Sequence, residues 1–152
     1  MVRGVKLFGI LAVSVLFITG CGNSERTLTC TNSEEDSGLK MSQEVTMTFK
    51  DDKINYVKLS IDNEATDDTI IDNWDVFASM MGSQFEESNE DGVNLSTNND
   101  ADNHIFNVSL EIDLEKANED ALSEYGLDDI TDGNASYEDI KENAEADGFT
   151  CK

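Results

Sequence analysis

Hydrophobic and polar positions alternate with two different periods along this chain. Met41, Val45, Met47 and Phe49 fall on one side of a run whose other side carries Ser42, Glu44, Thr46 and Thr48. A period of two is that of a strand with one buried face. Asp51-Asp52-Lys53 is turn-like, and Val57, Leu59 and Ile61 then alternate with Lys58 and Ser60, so the two runs are expected to pair as a hairpin. The period next lengthens. Ile70, Ile71, Trp74, Phe77, Ala78, Met81 and Phe85 recur at the 3.6-residue spacing of one long amphipathic helix, with Asp67 and Asp68 where negative charge suits a helix N-terminus. Val93 and Leu95 suggest a strand, followed by a turn at residues 98–103. Phe106, Val108, Leu110, Ile112 and Leu114 then form the longest clean alternation, a second hairpin with the preceding strand.

Shorter signals frame these runs. Thr27-Leu28-Thr29-Cys30-Thr31 has the β-branched character of a strand, and residues 32–38 look like a polar turn. Residues 118–125 suit a short helix stopped by Gly126. Ser136 is placed to cap a last helix over residues 137–146, with Asp139 completing a capping box, and Gly148 to end it before Phe149-Thr150-Cys151 returns beside the first strand. The expected fold class is α+β: an antiparallel sheet built from two hairpins packed on one long amphipathic helix, plus a short C-terminal helix.

The beginning of the chain has a different character. Arg3 and Lys6 precede an apolar run from Leu7 to Phe17, broken only by Gly9 and Ser14, and Ile18-Thr19-Gly20-Cys21 follows. A charged start, a short apolar run and small residues before a cut make a secretory signal. The run is short for a membrane span, which needs about 18–25 apolar residues, and no basic stop-transfer cluster follows it. Ile18-Thr19-Gly20-Cys21 resembles the bacterial lipobox. The resemblance implies cleavage after Gly20, a diacylglyceryl thioether on Cys21 and acylation, commonly by palmitate, of the new N-terminus. The expected organisation is therefore residues 1–20 as lipoprotein signal peptide, 21–26 as lipidated cysteine and tether, and 27–152 as a single domain. The expected location is the extracytoplasmic face of the cell membrane, with the membrane itself as partner through the lipid on Cys21.

The whole order of parts is also similar to small lipoproteins of Gram-positive bacteria and to the uncharacterised YehR-like lipoproteins. That similarity rests on the lipobox, the early Thr29-Cys30-Thr31, the middle amphipathic segment and the Gly148-Phe149-Thr150-Cys151-Lys152 ending. The YehR-like group brings no activity to transfer.

Charge narrows the classes of partner. The leader holds two of the ten basic residues and none of the 33 acids, so the remaining 132 residues carry 8 bases against 33 acids, a net of −25. Nucleic acid, whose phosphates need Lys and Arg, is not expected as a partner. Electrostatic attraction to anionic lipid is not expected either. Beyond Cys21, Cys30 and Cys151 make an even pair, which in an oxidising compartment points to a disulfide.

Candidate chemistry is sparse. His104 is the lone histidine, at the entry of a strand, where an ordinary structural role outweighs a catalytic one. No Gly-x-Ser-x-Gly, His-Glu-x-x-His, phosphate-binding loop or dinucleotide fingerprint occurs, so no catalytic residue, metal site or cofactor is assigned. Asp128, Asp132, Gly133 and Asp139 echo a calcium loop, but Ile130 holds its third position and the twelfth lacks a bidentate Glu. Asp100 and Asp102 make a second acidic turn. The Asn-x-Ser sequons at Asn94, Asn107 and Asn134 fit chance in an Asn- and Ser-rich chain. The expected function is a membrane-anchored, non-enzymatic binding module for a protein, peptide or envelope component. A low-affinity divalent-cation-binding or envelope-stress accessory role is the alternative, and a hydrolase with an unrecognised carboxylate pair stands behind both.

Overall fold

The structure, a computed structural model, describes residues 25–85, 88–124 and 136–152. The signal segment, Cys21, Gly126 and most of the calcium-like loop lie outside these residues. Seven strands, β1 (Glu25–Asp36), β2 (Leu39–Lys50), β3 (Lys53–Ala65), β4 (Ser88–Glu90), β5 (Val93–Asp100), β6 (Ile105–Asp113) and β7 (Thr150–Cys151), form one sheet. Their order is β4-β5-β6-β3-β2-β1-β7, with every neighbouring pair antiparallel. Among the described residues four helices accompany them: α1 (Asp68–Ile71), α2 (Trp74–Gly82), α3 (Glu119–Glu124) and α4 (Tyr137–Ala146).

This architecture corrects the expected fold class. The two hairpins form as their alternation predicts, but they are not separate units on a long helix. β1 runs five residues past Thr31, through Asn32 to Asp36, so the first unit is a three-stranded meander whose β1–β2 register spans twelve residues. β3 then pairs with β6 from Tyr56–Asp113 to Glu64–Ile105, merging both units into one sheet. The segment expected to turn at residues 32–38 turns only at Ser37 and Gly38, whose positive φ values of 51° and 81° suit a two-residue primed turn. Gly38 is required twice over. Its carbonyl accepts from the backbone N–H groups of Thr66 at 2.8 Å and Asp67 at 3.3 Å, and a Cβ there would collide with Asp67 Cβ. The β2–β3 turn has the same form, with Asp51 and Asp52 at φ 53° and 63°.

The long helix is overturned for a local reason. Asn73 leaves helical geometry at φ −117° and ψ 25°. Its side-chain amide donates to the Thr69 carbonyl at 2.8 Å, the acceptor that a continuous helix would give to Asn73's own backbone N–H. That N–H bonds to Ile70 instead, at 3.1 Å. A short polar side chain thus competes with the backbone and splits the 3.6-residue pattern into α1 and the nine-residue α2. The result is a predominantly β sheet with short helices.

The register shows where each residue type goes. Leu28, Met47, Val57, Ile112 and Val93 stand in one row across five strands, and Thr29, Thr46, Lys58, Glu111 and Asn94 in the next. Because side chains alternate faces along a strand, the first row looks to one side of the sheet and the second to the other. α2 lays Trp74 and Ala78 on Ala65, Phe106 and Val108. α4 brings Tyr137, Ile140 and Ala144 onto Leu28, Cys30 and Phe49, while Leu122 of α3 covers Val93 and Ile112. These contacts all fall on the apolar face. Phe49, Leu28 and Ile112 are its largest fully buried side chains, each worth roughly 1.5–3 kcal/mol in burial.

β7 is fastened by a covalent bond. Cys30 and Cys151 stand directly opposite on β1 and β7 and are joined as a disulfide across 121 residues. Thr29 and Lys152 exchange both backbone hydrogen bonds beside it, each 3.0 Å. α4 begins and ends as its sequence signals predict. Ser136 and Asp139 form the reciprocal capping box, and Gly148, at φ 91°, follows the C-terminal turn. Among the described residues β1 begins at Glu25. Arg26 lies over the Tyr137 ring, 3.8 Å from its centroid.

Candidate functional site

The polar face of the sheet is a built surface. Its side chains are laced across strands rather than left loose. Thr29 and Thr46 hydroxyls meet at 3.4 Å, and those of Ser33 and Ser42 at 3.1 Å. The Asn107 amide donates to Asp62 at 2.7 Å and to Ser60 at 3.0 Å. Lys58 reaches Glu111 at 2.9 Å, and Lys40 reaches Glu64 at 3.3 Å. Such cross-strand pairs order side chains before any ligand arrives, which reduces the ordering cost of binding.

A shallow groove of about 610 Å³ crosses this face where β1, β2 and β3 run together. Thr31, Ser42, Glu44, Ser60 and Asp62 line its floor, and Gly148 and Thr150 form one rim. Small-molecule sites are usually enclosed and mostly apolar. This groove is open, hydroxyl-rich and without an aromatic wall, so it suits a hydrated polar chain or a protein surface.

Toward β6 the same face carries paired groups, several of them around a separate hollow beside Tyr56 and Glu111. The hydrogen bond from Lys58 holds the Glu111 carboxyl below its ordinary range, and Glu111 in turn raises the Lys58 ammonium. Burial, with Glu111 beside it, raises the Tyr56 phenol. Farther along β6, Lys116 donates to Asp113 and lowers that carboxyl as well. These groups are all in their ordinary charged or neutral forms at neutral pH. They present fixed hydrogen-bonding groups rather than a proton in transit.

The residues singled out from the sequence fall elsewhere. Cys21 lies outside the described residues, and Cys30 and Cys151 are consumed in their mutual bond. His104 sits at φ 53°, gives its backbone carbonyl to the Ala65 N–H at 3.0 Å and sets its ring edge-on to Trp74, with centroids 5.6 Å apart. Asp100 accepts from the Asn103 backbone N–H at 3.2 Å and from its amide at 2.8 Å, which lowers its carboxyl within a closed turn. Asp128, Asp132 and Gly133 of the calcium-like loop are outside the described residues, and Asp139 caps α4. Among the described residues no three His, Cys, Asp or Glu side chains converge to hold a metal ion. Asn107 of the sequons is tied to Asp62 and Ser60, Asn94 is exposed, and Asn134 lies outside.

The groove itself went unrecognised in the sequence. Its signal was present in the polar partners Ser42, Glu44, Ser60 and Asp62 of the apolar alternation, but it required the order of the strands to assemble them. No helix among the described residues is long and apolar enough to cross a membrane.

No protein-family model and no curated protein matches the chain. Among solved structures, an NMR structure of a protein from Streptococcus pneumoniae TIGR4 superposes with a TM-score of 0.56 at 15% identity, covering 100% of this chain and 99% of that one. At that identity the likeness is one of fold: this chain has the fold of the pneumococcal protein.

Proposed function

We propose that this chain is a lipid-anchored extracytoplasmic binding module, tethered through Cys21 and using the polar sheet face, which no described helix covers, to engage a protein, peptide or envelope component. The observation that carries the proposal is the one-sidedness of the sheet. α2, α3 and α4 pack on its apolar face, while the opposite face keeps an ordered set of hydroxyl, amide and carboxylate groups around an open groove. A binding role fits that surface better than a catalytic one, since its charged groups are paired and exposed rather than isolated in a cleft. The address follows from the Ile18-Thr19-Gly20-Cys21 resemblance to a lipobox, and a domain of net charge −25 needs such a tether to stay near an anionic membrane.

Crosslinking in intact cells, comparing the native chain with Cys21→Ala, tests both parts. The native chain should fractionate with membrane, incorporate labelled palmitate and give a discrete crosslinked adduct. Cys21→Ala should be released or left unprocessed and lose the adduct. Normal processing and retention of the variant would contradict the anchor, and absence of any specific adduct from the native chain would contradict the binding role.

A further inference from the structure

β7, the last strand on one side of the sheet, pairs with only part of β1. Thr29 and Lys152 exchange both backbone hydrogen bonds, and Thr31 stands opposite Thr150. The ladder stops there, because Gly148 at φ 91° turns the chain away into α4. Backbone groups alternate direction along a strand. Thr29 points its N–H and C=O outward to β7, so Thr31, Ser33 and Glu35 point theirs the same way. Among the described residues β1 has ladder partners only in β2 and β7, which leaves Ser33 and Glu35 with outward groups beyond the last rung. Side chains from Ser33 to Asp36 are exposed, so no described residue roofs this stretch. From Asn32 to Asp36 it offers about 17 Å of edge at roughly 3.4 Å per residue.

We infer that this open edge of β1, from Asn32 to Asp36, accepts an extended basic peptide segment of a partner as an added strand. Charge selects the occupant. Glu34, Glu35 and Asp36 flank the open backbone groups, and the one base set opposite Glu35 on β2, Lys40, is engaged by Glu64. A second copy of this chain would bring the same three acids against them, whereas a strand carrying Lys or Arg would be attracted. The chain contains no proline, the residue that would block such an edge. The edge is also continuous with the groove, since Asn32 and Ser33 line it. On the other side of the sheet a hollow of about 70 Å³ between Glu34, Met41 and Gln43 lies beside the same stretch. Alternate side chains of an added strand would therefore meet groove and hollow in turn, while its backbone supplies the hydrogen bonds. This inference rests on the binding role proposed above and gives it a site and a class of partner.

The test uses the full chain in mild detergent and three seven-residue peptides: one alternating Lys and Thr, one alternating Glu and Thr, and the Lys/Thr peptide N-methylated at every second amide. The Lys/Thr peptide should shift the NMR amide signals of Ser33 and Glu35, and the other two should not. Ser33→Pro removes an outward N–H that no ladder uses, so it should leave the melting temperature within a few degrees and weaken binding about fivefold or more, as loss of one or two hydrogen bonds implies. Should that variant melt early, the double substitution Glu34→Lys and Glu35→Lys, which keeps the backbone intact, should reverse the preference toward the Glu/Thr peptide. No shift at millimolar peptide, equal binding of the N-methylated peptide, or dimerisation through Ser33 and Glu35 would each overturn the inference. If the edge fails while the native chain still crosslinks to a membrane component, the site is wrong and the binding role stands.

Discussion

Breaking the Cys30–Cys151 bond is the most consequential single perturbation this fold offers. The bond closes a loop of 121 residues, nearly the whole of the domain. In the chain-entropy model the denatured state gains about 16 cal/mol/K when such a loop is opened, which at 25 °C is about 5 kcal/mol of lost stability. Native domains hold only 5–15 kcal/mol in all, so the loss is a large share. For a domain of this size it corresponds to a fall in melting temperature of roughly 15–20 °C. The native-state contribution is small by comparison. β7 has just two residues, and its other ties include the Thr29–Lys152 bonds, the Thr31–Thr150 pairing and the packing of Phe149. Cys30→Ala with Cys151→Ala should therefore remain folded at 20 °C but melt far earlier, and the native chain treated with a reductant should melt at the same temperature as the variant. Calorimetry at neutral pH measures both. A fall of less than about 5 °C would refute the reasoning, because it would mean that the denatured chain is already compact or that the native bond is opposed by distortion.

Other perturbations read out separate parts of the fold. Phe49 is fully buried and sets its ring against Tyr137 with centroids 5.2 Å apart, so Phe49→Ala should cost about 3–5 kcal/mol in a urea melt. Ser136→Ala removes one half of the α4 capping box and should cost about 1 kcal/mol, with faster amide exchange confined to the first turn of that helix. Glu111→Gln tests the polar face. The Glu111 carboxyl is lowered chiefly by Lys58, so its contribution is complete above the unfolded carboxylate range and is lost as pH falls through its folded value. The stability gap between native chain and variant should be widest near pH 7 and close below about pH 4, and a gap independent of pH would contradict the pairing.

Much of the fold was legible because single strands announce themselves by alternation. Met41 to Phe49, Val57 to Ile61 and Phe106 to Leu114 place their apolar residues on one face, and the sheet uses them so. The Ser136 cap and the paired cysteines were equally plain, since each is a local or compositional signal. Two features were hidden for physical reasons. The continuity of Ile70 to Phe85 was broken by one side-chain bond from Asn73 to Thr69, which periodicity does not register. The polar residues 32–36 looked like a loop because they lack an apolar face, yet a hairpin edge tolerates polar side chains on both faces when its turn is tight. The β3–β6 pairing joins segments far apart in the chain, and no local pattern specifies it. For the same reason the groove, which β1, β2, β3 and the β7 return build together, could not be assembled from sequence.

The described helices occupy one face of the sheet, and the proposed role gives the other to a partner. A photoreactive residue introduced at Ser60, on the groove floor, or at Ser79, on the exposed side of α2, compares the two sides within native membranes. A specific adduct should form from position 60, and little or none from position 79. An adduct formed only from position 79, or equally from both, would contradict the proposed role.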